Sequence, residues 1–362
     1  MLDKKVTVEK KKISVAVIAI LLFLILILIA VIVLMLFRAS GKKTLAGTVV
    51  NSEDPIEIEI AEETEGLKEG QIIYNDIVYQ YNEDLVSILI MGIDKETVNE
   101  IGGQSWEEVE GSQFNGGQAD GLFLLVLNPH TKKVDVVAIN RNTMANIDVF
   151  DGYGRYEGIQ LMQIALQHGF GDGKEQSCER QVKAVSRLLY NIPINAYAAI
   201  SMDAIPDMND AIGGVTLIAP DEIVYPEYNM DIHPGDEVTL MGEQAYWFLR
   251  LRYEYQEGSS DVRLNRQKIY LSKFLEKAKQ ESKSDIRVAI NLYDVLKKYM
   301  VTTIGADSFT YIVTELIGYD FDPDSIYSLK GETVMGEKYE EFHVDEQALQ
   351  ELIIKLFYEP VK

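Results

Sequence analysis

Three apolar segments close together decide the fold: LVSILIM at 85–91, LFLLVL at 122–127 and VDVVAI at 134–139. The first is apolar except for Ser87, as expected of a strand that is buried on both faces. The second and third segments are separated by a turn sequence, NPH at 128–130, and together predict an antiparallel hairpin. The three strands predict the centre of a sheet.

Helical and strand patterns alternate after this sheet segment. Ser259, Ser260 and Asp261 are candidate N-caps for the longest predicted helix. Helices are predicted at 161–168, 179–190, 205–212, 242–249, 262–280, 289–299 and 345–357, and further strands at 196–201 and 215–219. This alternation predicts an α/β fold, a three-layer α/β/α domain with a mixed central sheet.

Composition excludes several classes of protein. The 362 residues include 34 basic and 57 acidic ones, a net charge of −23, and 47% are hydrophobic, so the chain can bury a core. Its acidity disfavours binding to nucleic acid. One cysteine and four unpaired histidines exclude an intramolecular disulfide framework and disfavour a metal site built on cysteine or histidine.

The N-terminal part has the pattern of a membrane anchor. Residues 13–37 form a 25-residue apolar run with Ser14 as its one polar member, long enough to cross a bilayer as a helix. Five lysines precede this run and three basic residues follow it, which favours a cytoplasmic tail at 1–12 and export of everything after the anchor. A cleaved signal peptide is the alternative, but its apolar region would be shorter.

The exported part divides into a stalk and a domain. Residues 38–70 are rich in acidic side chains and predict an extended extracellular stalk. The extracellular domain is predicted at 71–362, where the alternation of strands and helices begins. Residues 44–362 hold 26 basic and 55 acidic residues, a net charge of −29.

Arginines are concentrated in one short window of this acidic domain. Four of the ten arginines lie within residues 250–266: Arg250, Arg252, Arg263 and Arg266. Arg263 and Arg266 are three residues apart in a predicted helix and therefore share a face near its positive end. Guanidinium groups pair bidentately with phosphate or carboxylate, so the cluster indicates a pyrophosphate site or, alternatively, ion pairs with the chain's own carboxylates.

Two aspartates are predicted at strand ends, where α/β proteins usually build their sites. Asp94 follows the first apolar strand in MGIDK, and Asp120 precedes the second in GGQADG. Two carboxylates beside a pyrophosphate would bind Mg²⁺, which prefers oxygen ligands. Taken singly, each aspartate is also typical of a turn or a helix cap.

These motifs in combination resemble the LytR-CpsA-Psr family of cell-envelope proteins. The resemblance rests on LIMGID, QADGLFLLVLNPHTKKVDVVAINRNT, AIGGVTL, GEQAYWFLRLR and DVRLNRQ, in this order behind a short basic tail and one anchor helix. It covers residues 79–275 well. No one of the motifs is specific alone.

The resemblance implies a membrane-anchored phosphotransferase on the outer face of the cytoplasmic membrane. Such enzymes move a glycopolymer from a polyprenyl-pyrophosphate carrier to peptidoglycan, with Mg²⁺ or Mn²⁺ at the pyrophosphate. Carried over by motif position, Asp94 and Asp120 would hold the metal. Residues of the later motifs would bind the pyrophosphate: Arg141, Asn142, Arg250, Arg252, Arg263, Arg266 and Gln267. Of these, Arg141, Arg252 and Arg263 would be the catalytic groups.

This chain departs from the family pattern at several positions. Gln118 stands where an arginine is common, Asn142 where the usual motif has aspartate, and Leu161 and Gln163 where a lysine and an asparagine are usual. These changes leave two alternatives open: a protein that binds the lipid without turnover, and a lipid pyrophosphate hydrolase that uses water as acceptor. The apolar stretches 159–166 and 264–274 are candidate walls for a lipid channel, although such stretches more often face a core.

Overall fold

A computed structural model describes the chain over 15–50, 67–94, 100–101, 104–105, 116–251, 258–319 and 322–361. The side chains at 15–30, 100–101 and 104–105 are not among those described.

Eight α-helices form in the described ranges. They are α1 (Val15–Gly47), α2 (Glu175–Leu188), α3 (Ile205–Ala211), α4 (Glu243–Arg250), α5 (Ser259–Ser284), α6 (Arg287–Leu296), α7 (Ala306–Gly318) and α8 (Glu346–Phe357). Short 3₁₀ turns occur at Ile164–Gly169, Met202–Ala204, Pro226–Tyr228 and Pro323–Ser325.

The strands of the described ranges are mostly short, and three of them exceed seven residues. They are β1 (Gln71–Tyr74), β2 (Ile77–Tyr81), β3 (Val86–Asp94), β4 (Glu100–Ile101), β5 (Gln104–Ser105), β6 (Gln118–Asn128), β7 (Lys133–Ile139), β8 (Met144–Phe150), β9 (Tyr156–Gln163), β10 (Ala196–Ser201), β11 (Val215–Ile218), β12 (Ile223–Tyr225), β13 (Met230–Ile232), β14 (Glu237–Leu240), β15 (Met300–Thr302), β16 (Ile326–Ser328), β17 (Gly331–Met335), β18 (Glu340–Val344) and β19 (Tyr358–Pro360).

A six-stranded mixed sheet is the centre of the domain, in the order β15-β10-β3-β6-β7-β16. Strands β3, β6 and β7 run antiparallel to one another, as the sequence predicts. Strands β10 and β16 add in parallel to β3 and β7, and β15 closes one edge antiparallel to β10. The prediction of a mixed central sheet is confirmed.

Both faces of this sheet are buried, because successive side chains of β3 point to opposite sides. Leu89 packs with residues of α2 and α8, whereas Ile88 packs with residues of α5 and α7. Helices therefore cover both faces, which explains why residues 85–91 are almost continuously apolar.

A second core lies beside the sheet. Helices α3, α4 and α5 pack there with the short hairpins that β11–β14 form, around residues such as Phe248 and Tyr270. This core fixes α4 against α5, and both helices carry arginines of the 250–266 window.

Helix α1 continues past the predicted end of the anchor and packs on α7. Residues 38–47, which the sequence assigns to the start of the stalk, are helical; Ser40 and Thr44 donate to the Asp307 carboxylate, and Arg38 pairs with Glu315. Residues 51–66, the acidic centre of the predicted stalk, lie outside the described residues, so the stalk remains a prediction.

The predicted anchor falls largely on residues whose side chains are not described. Within the described part of the chain, no helix has both the length and the apolar character that crossing a membrane requires. The assignment of 13–37 to a membrane span thus rests on the sequence pattern.

Two local predictions were wrong, and one helix was missed. Residues 161–168 are not a helix but the end of β9 followed by a 3₁₀ turn. Helix α5 begins at Ser259, and its N-cap is Gly258, because Ser260 and Asp261 use their side chains in tertiary hydrogen bonds. Helix α7 was missed, although its apolar residues recur at helical spacing.

Candidate functional site

Asp94 and Asp120 meet at one end of the central sheet. The C-terminal end of β3 runs antiparallel to the start of β6, so that Asp94 lies opposite Gln118. The register shifts at this point: Gly92 pairs with Gly121 and the next residue of β3 pairs with Ala119, which leaves Asp120 in a β-bulge. Bulges re-aim a side chain, and they are common beside active sites.

Asp120 is held between two of the predicted arginines. Its Oδ1 lies 2.8 Å from Arg141 Nε, and its Oδ2 accepts a hydrogen bond of 3.0 Å from Arg263 Nη1. The side chains of Asp120, Arg141 and Arg263 are 11%, 14% and 7% exposed. Arg141 also donates to Gln118, so the departure at position 118 is part of this cluster.

Arg250 binds the other aspartate. Its Nη2 lies 3.2 Å from Asp94 Oδ2, and its Nη1 donates a 2.6 Å hydrogen bond to the hydroxyl of Tyr246. The guanidinium also lies 5.4 Å and 5.8 Å from the ring centres of Tyr246 and Trp247, within the range of cation–π attraction. Arg250 is the last residue of α4, where the helix dipole favours a cation.

Arg266 and Gln267 hold the corner between α4 and α5. Arg266, 2% exposed, donates to the backbone carbonyls of Phe248 and Leu251 and pairs with Asp221 at 3.4 Å. Gln267 donates to the carbonyl of Leu249 at 3.4 Å. These bonds satisfy backbone carbonyls on either side of Arg250, so both residues fix the backbone that carries it. Burial raises the pKa of Asp221, and the Arg266 guanidinium opposes this shift.

Arg252 lies in the segment 252–257, outside the described residues, and its predicted role stays a prediction. The structure brings five other predicted residues together around one end of the sheet. They are Asp94, Asp120, Arg141, Arg250 and Arg263, joined in two groups by ion pairs.

Asn142 is buried next to this cluster. Its side chain is 2% exposed and donates from Nδ2 to Ser260 Oγ at 2.7 Å and to Glu340 Oε2 at 3.4 Å. Its backbone N–H is held by Asn140 Oδ1 at 2.9 Å. Asn142 thereby ties the segment after β7 to the start of α5.

Glu340 is a site residue that the sequence analysis missed. It comes from the C-terminal hairpin β17–β18, and its Oε1 accepts a 2.8 Å hydrogen bond from the backbone N–H of Gly258. Ser260 Oγ donates to its Oε2 at 3.1 Å. The local sequence, an ordinary acidic hairpin, carries no signal for this contact, because the partners lie 80 or more residues away.

The two aspartates suit a magnesium ion that also binds phosphate. Among the residues described, no group of three or more His, Cys, Asp or Glu side chains could hold a metal ion by itself. Mg²⁺ is commonly held by one or two carboxylates together with substrate phosphates. Asp94 and Asp120 have oxygen donors of that kind and lie against arginines, and the magnesium ion stays a prediction.

An apolar cavity of about 210 Å³ lies between the central sheet and α5, α6 and α7. Of the side chains that line it, Lys279 and Ser282 are polar, and the others are apolar or aromatic. The lining is formed by Leu125, Val134, Phe274, Leu275, Ala278, Lys279, Ser282, Ala289, Leu292, Tyr293, Leu296, Phe309, Ile312, Val313, Leu316, Ile317 and Tyr319.

The lipid channel stays a prediction, and the two stretches that were expected to form its walls lie in different surroundings. Phe274 lines the cavity, whereas Ile159 and Leu161 are 52% and 60% exposed on β9. Helix α7, which was missed, supplies a whole wall. Its residues Phe309 and Ile312 begin the apolar pattern that could have revealed it.

Known proteins share the sequence pattern of this chain. A model of the LytR_cpsA_psr family matches residues 49–357. Biofilm regulatory protein A of Streptococcus mutans is 29% identical over 272 residues, which is 72% of this chain and 60% of that protein. The polyisoprenyl-teichoic acid–peptidoglycan teichoic acid transferase TagU of Oceanobacillus iheyensis is 28% identical over 236 residues, 65% of this chain and 64% of that protein.

The chain therefore spans less than two thirds of the length of both relatives. The fold is shared with B. subtilis TagV, whose crystal structure superposes with a TM-score of 0.55 at 21% identity, covering 75% of this chain and 95% of that one. A mixed α/β domain with the same kind of central sheet is thus found in this group of proteins.

Proposed function

The chain belongs to the LytR_cpsA_psr family, and from this membership we propose that it is a membrane-anchored phosphotransferase. It moves a cell-wall glycopolymer from a polyprenyl-pyrophosphate carrier to peptidoglycan. The transferase named among its relatives acts, by its name, on polyisoprenyl-linked teichoic acid and peptidoglycan. That likeness supports the class of reaction for this chain.

One observation carries the proposal: two elements link a cationic cluster to an apolar cavity. Helix α5 carries Arg263 in its first turns and Ala278 in the cavity wall, fifteen residues or roughly 22 Å further on. Strand β6 carries Asp120 near its start and Leu125 in the cavity, roughly 17 Å away. A pyrophosphate with a long apolar tail has this combination of charge and hydrophobicity.

Arg141, Arg250 and Arg263 bind the pyrophosphate oxygens in this proposal. Phosphoryl transfer requires mainly positioning and neutralisation of charge, and guanidinium groups supply both. Each of these arginines forms an ion pair with an aspartate. When the substrate binds, its phosphate oxygens replace some of these carboxylates as partners of the arginines. Asp94 and Asp120 would hold Mg²⁺ or Mn²⁺, which would supply further positive charge for phosphoryl transfer.

The membrane anchor at 13–37 and the extracellular placement of the domain are part of the proposal. They rest on the apolar run and on the excess of lysines before it. Because residues 38–47 continue α1 and pack on α7, the domain lies close to the end of the anchor.

The test is transfer by the full-length protein in detergent, since truncation after residue 43 would cut through α1. With a polyprenyl-pyrophosphate-linked glycan, Mg²⁺ and peptidoglycan, we expect polyprenyl monophosphate to be released and the glycan to become covalently attached. Absence of release, while the lipid still binds, would refute the transferase and leave a binding protein.

The same assay separates a hydrolase from a transferase. Release that proceeds equally without peptidoglycan, with free glycan phosphate as product, would identify water as the acceptor. Release that depends on peptidoglycan supports transfer.

A further inference from the structure

Glu340 is anchored at the N-terminus of α5. The backbone N–H of Gly258 binds its Oε1 at 2.8 Å, and the hydroxyl of Ser260 binds its Oε2 at 3.1 Å. Gln163 Nε2 fixes the carbonyl oxygen of Glu340 at 2.7 Å. The half-buried carboxylate is therefore held by both its side chain and its backbone.

The partners of Glu340 are neighbours of the arginines that bind Asp120. Ser260 precedes Arg263 by three residues, so the two share one face of α5. Asn142, whose Nδ2 lies 3.4 Å from Glu340 Oε2, directly follows Arg141. The carboxylate thus borders the cluster in which the pyrophosphate is proposed to bind.

Glu340 differs from the two aspartates in the kind of partner that it has. Asp94 and Asp120 bind arginines, which occupy oxygens of their carboxylates. The donors recorded for Glu340 are an amide, a hydroxyl and a backbone N–H, all of them neutral. In the described part of the chain, no arginine has to be displaced before this carboxylate can approach a bound hydroxyl, and such an approach is the first requirement for a general base.

Asn142 supplies a second observation. Its Oδ1 is buried and lacks a hydrogen-bond donor among the described residues. A buried acceptor without a donor is rare and commonly marks the place of a water molecule or a ligand group. A water molecule, or a second hydroxyl group of the acceptor glycan, would provide such a donor and would leave the proton of the reacting hydroxyl for Glu340.

We propose that Glu340 is the proton acceptor for the acceptor hydroxyl of peptidoglycan, an inference that rests on the proposed function. The hydroxyl oxygen attacks the phosphorus that bears the glycan, and its proton passes to the Glu340 carboxylate. The new O–P bond replaces the P–O bond to the lipid phosphate, which leaves with the electron pair as polyprenyl monophosphate.

The first test is Glu340→Gln in the full-length protein in detergent. General bases contribute about 10²- to 10⁴-fold, so we expect transfer to fall at least about 100-fold while binding of polyprenyl pyrophosphate changes less than about twofold. The matched control is Glu341→Gln, because Glu341 is the next residue and pairs with His343 at 2.9 Å outside the cluster. The control should transfer at the rate of the unchanged protein.

The second test moves the carboxylate to its neighbour. Asn142→Asp in the Glu340→Gln background restores a negative charge about 3.4 Å from the original position, and we expect about tenfold recovery of transfer or more. Recovery also shows that the loss in Glu340→Gln is not a failure to fold.

Transfer by Glu340→Gln at the unchanged rate, or a loss that Asn142→Asp does not reverse, would overturn the assignment of Glu340. If the unchanged protein binds lipid but transfers nothing, the proposed function itself fails, and the two failures are thereby distinct.

Discussion

At the scale of single residues, the arginines of the 250–266 window have different structural roles. Arg250 and Arg263 bind aspartates at the end of the sheet, while Arg266 is buried under the corner of α4 and α5. Arg263 and Arg266 lie three residues apart in α5 and still have different partners, because α5 meets the end of the sheet at Arg263 and the end of α4 at Arg266.

Replacement of Arg263 by alanine is expected to weaken binding of polyprenyl pyrophosphate by roughly 10- to 100-fold. Hydrogen bonds to charged groups contribute about 1.5–3 kcal/mol, and the guanidinium borders the proposed phosphate site. Affinity for the lipid, measured by titration in detergent, checks this. Arg287→Ala is the control, because Arg287 is 81% exposed and pairs with Asp285; an equal loss in both variants would refute the placement of the site.

At the scale of secondary-structure elements, the junction of α1 and α7 is the least expected feature. Asp307 lies in the first turn of α7 and accepts from Ser40 Oγ at 3.0 Å and Thr44 Oγ1 at 3.3 Å. Gly41 lies against the backbone of Asp307, so closely that a Cβ atom would be 2.2 Å from the Asp307 carbonyl oxygen. The close contact of the two helices depends on glycine at this position.

Gly41→Ala should therefore loosen α1 from α7 at a cost of about 1–3 kcal/mol, as overpacking of a core does. Hydrogen exchange of the α7 amides in the full-length protein measures the effect, and we expect faster exchange. Gly47→Ala is the matched control, since a Cβ there meets nothing within 4 Å. Identical exchange in Gly41→Ala and the unchanged protein would contradict the packing described.

The same junction should be sensitive to acid. The Ser308 backbone N–H, followed by the hydroxyls of Ser40 and Thr44, lowers the pKa of the Asp307 carboxyl. A lowered pKa in the folded state stabilises the fold above the unfolded value of about 3.9 and ceases to do so as the pH falls through the folded value.

Thermal unfolding measured from about pH 6 to about pH 3 tests whether the Asp307 carboxylate stabilises the junction. We expect Asp307→Asn to lose less stability than the unchanged protein as the pH falls. Equal losses would show that the Asp307 carboxylate does not stabilise the junction.

At the scale of the whole molecule, α7 connects the proposed membrane anchor to the proposed lipid site. One side of α7 packs on α1, and its apolar residues line the cavity under the sheet. The end of the anchor, the cavity and the charged end of the sheet thus belong to one packed unit. A lipid carrier could bind without leaving the neighbourhood of the membrane.

Filling the cavity should weaken binding of the lipid tail. Ala278→Phe places a ring where the lipid tail is proposed to lie. If the ring displaces two CH₂ groups of the tail from the cavity, the loss of burial costs about 1.6 kcal/mol, which weakens the affinity roughly 15-fold. Competition binding compares polyprenyl pyrophosphate with a short-chain pyrophosphate, whose affinity should stay unchanged. Ser284→Phe, at the exposed end of α5, is the control; if both variants bind the long lipid normally, the cavity is not its site.

Much of the fold was predictable because short stretches of sequence carry the patterns of strands and helices. The apolar run at 85–91 predicted a strand buried on both faces, and β3 has buried side chains on both. The two glycines after α3 have positive φ, a conformation in which glycine often ends a helix. The prediction at 161–168 failed because residues 161–163 pair with β8, and the one at the start of α5 failed where Ser260 uses its hydroxyl in a tertiary hydrogen bond.

The sequence by itself determined the family, the central strands and the inventory of arginines and carboxylates, because motif order and hydrophobic periodicity are properties of neighbouring residues. Only the tertiary structure decided which partners these charges have. Asp120 meets Arg263 across 143 residues, Asn142 meets Glu340 across 198, and α1 meets α7 across more than 250. Such contacts depend on how the chain packs in space, and no local pattern records them.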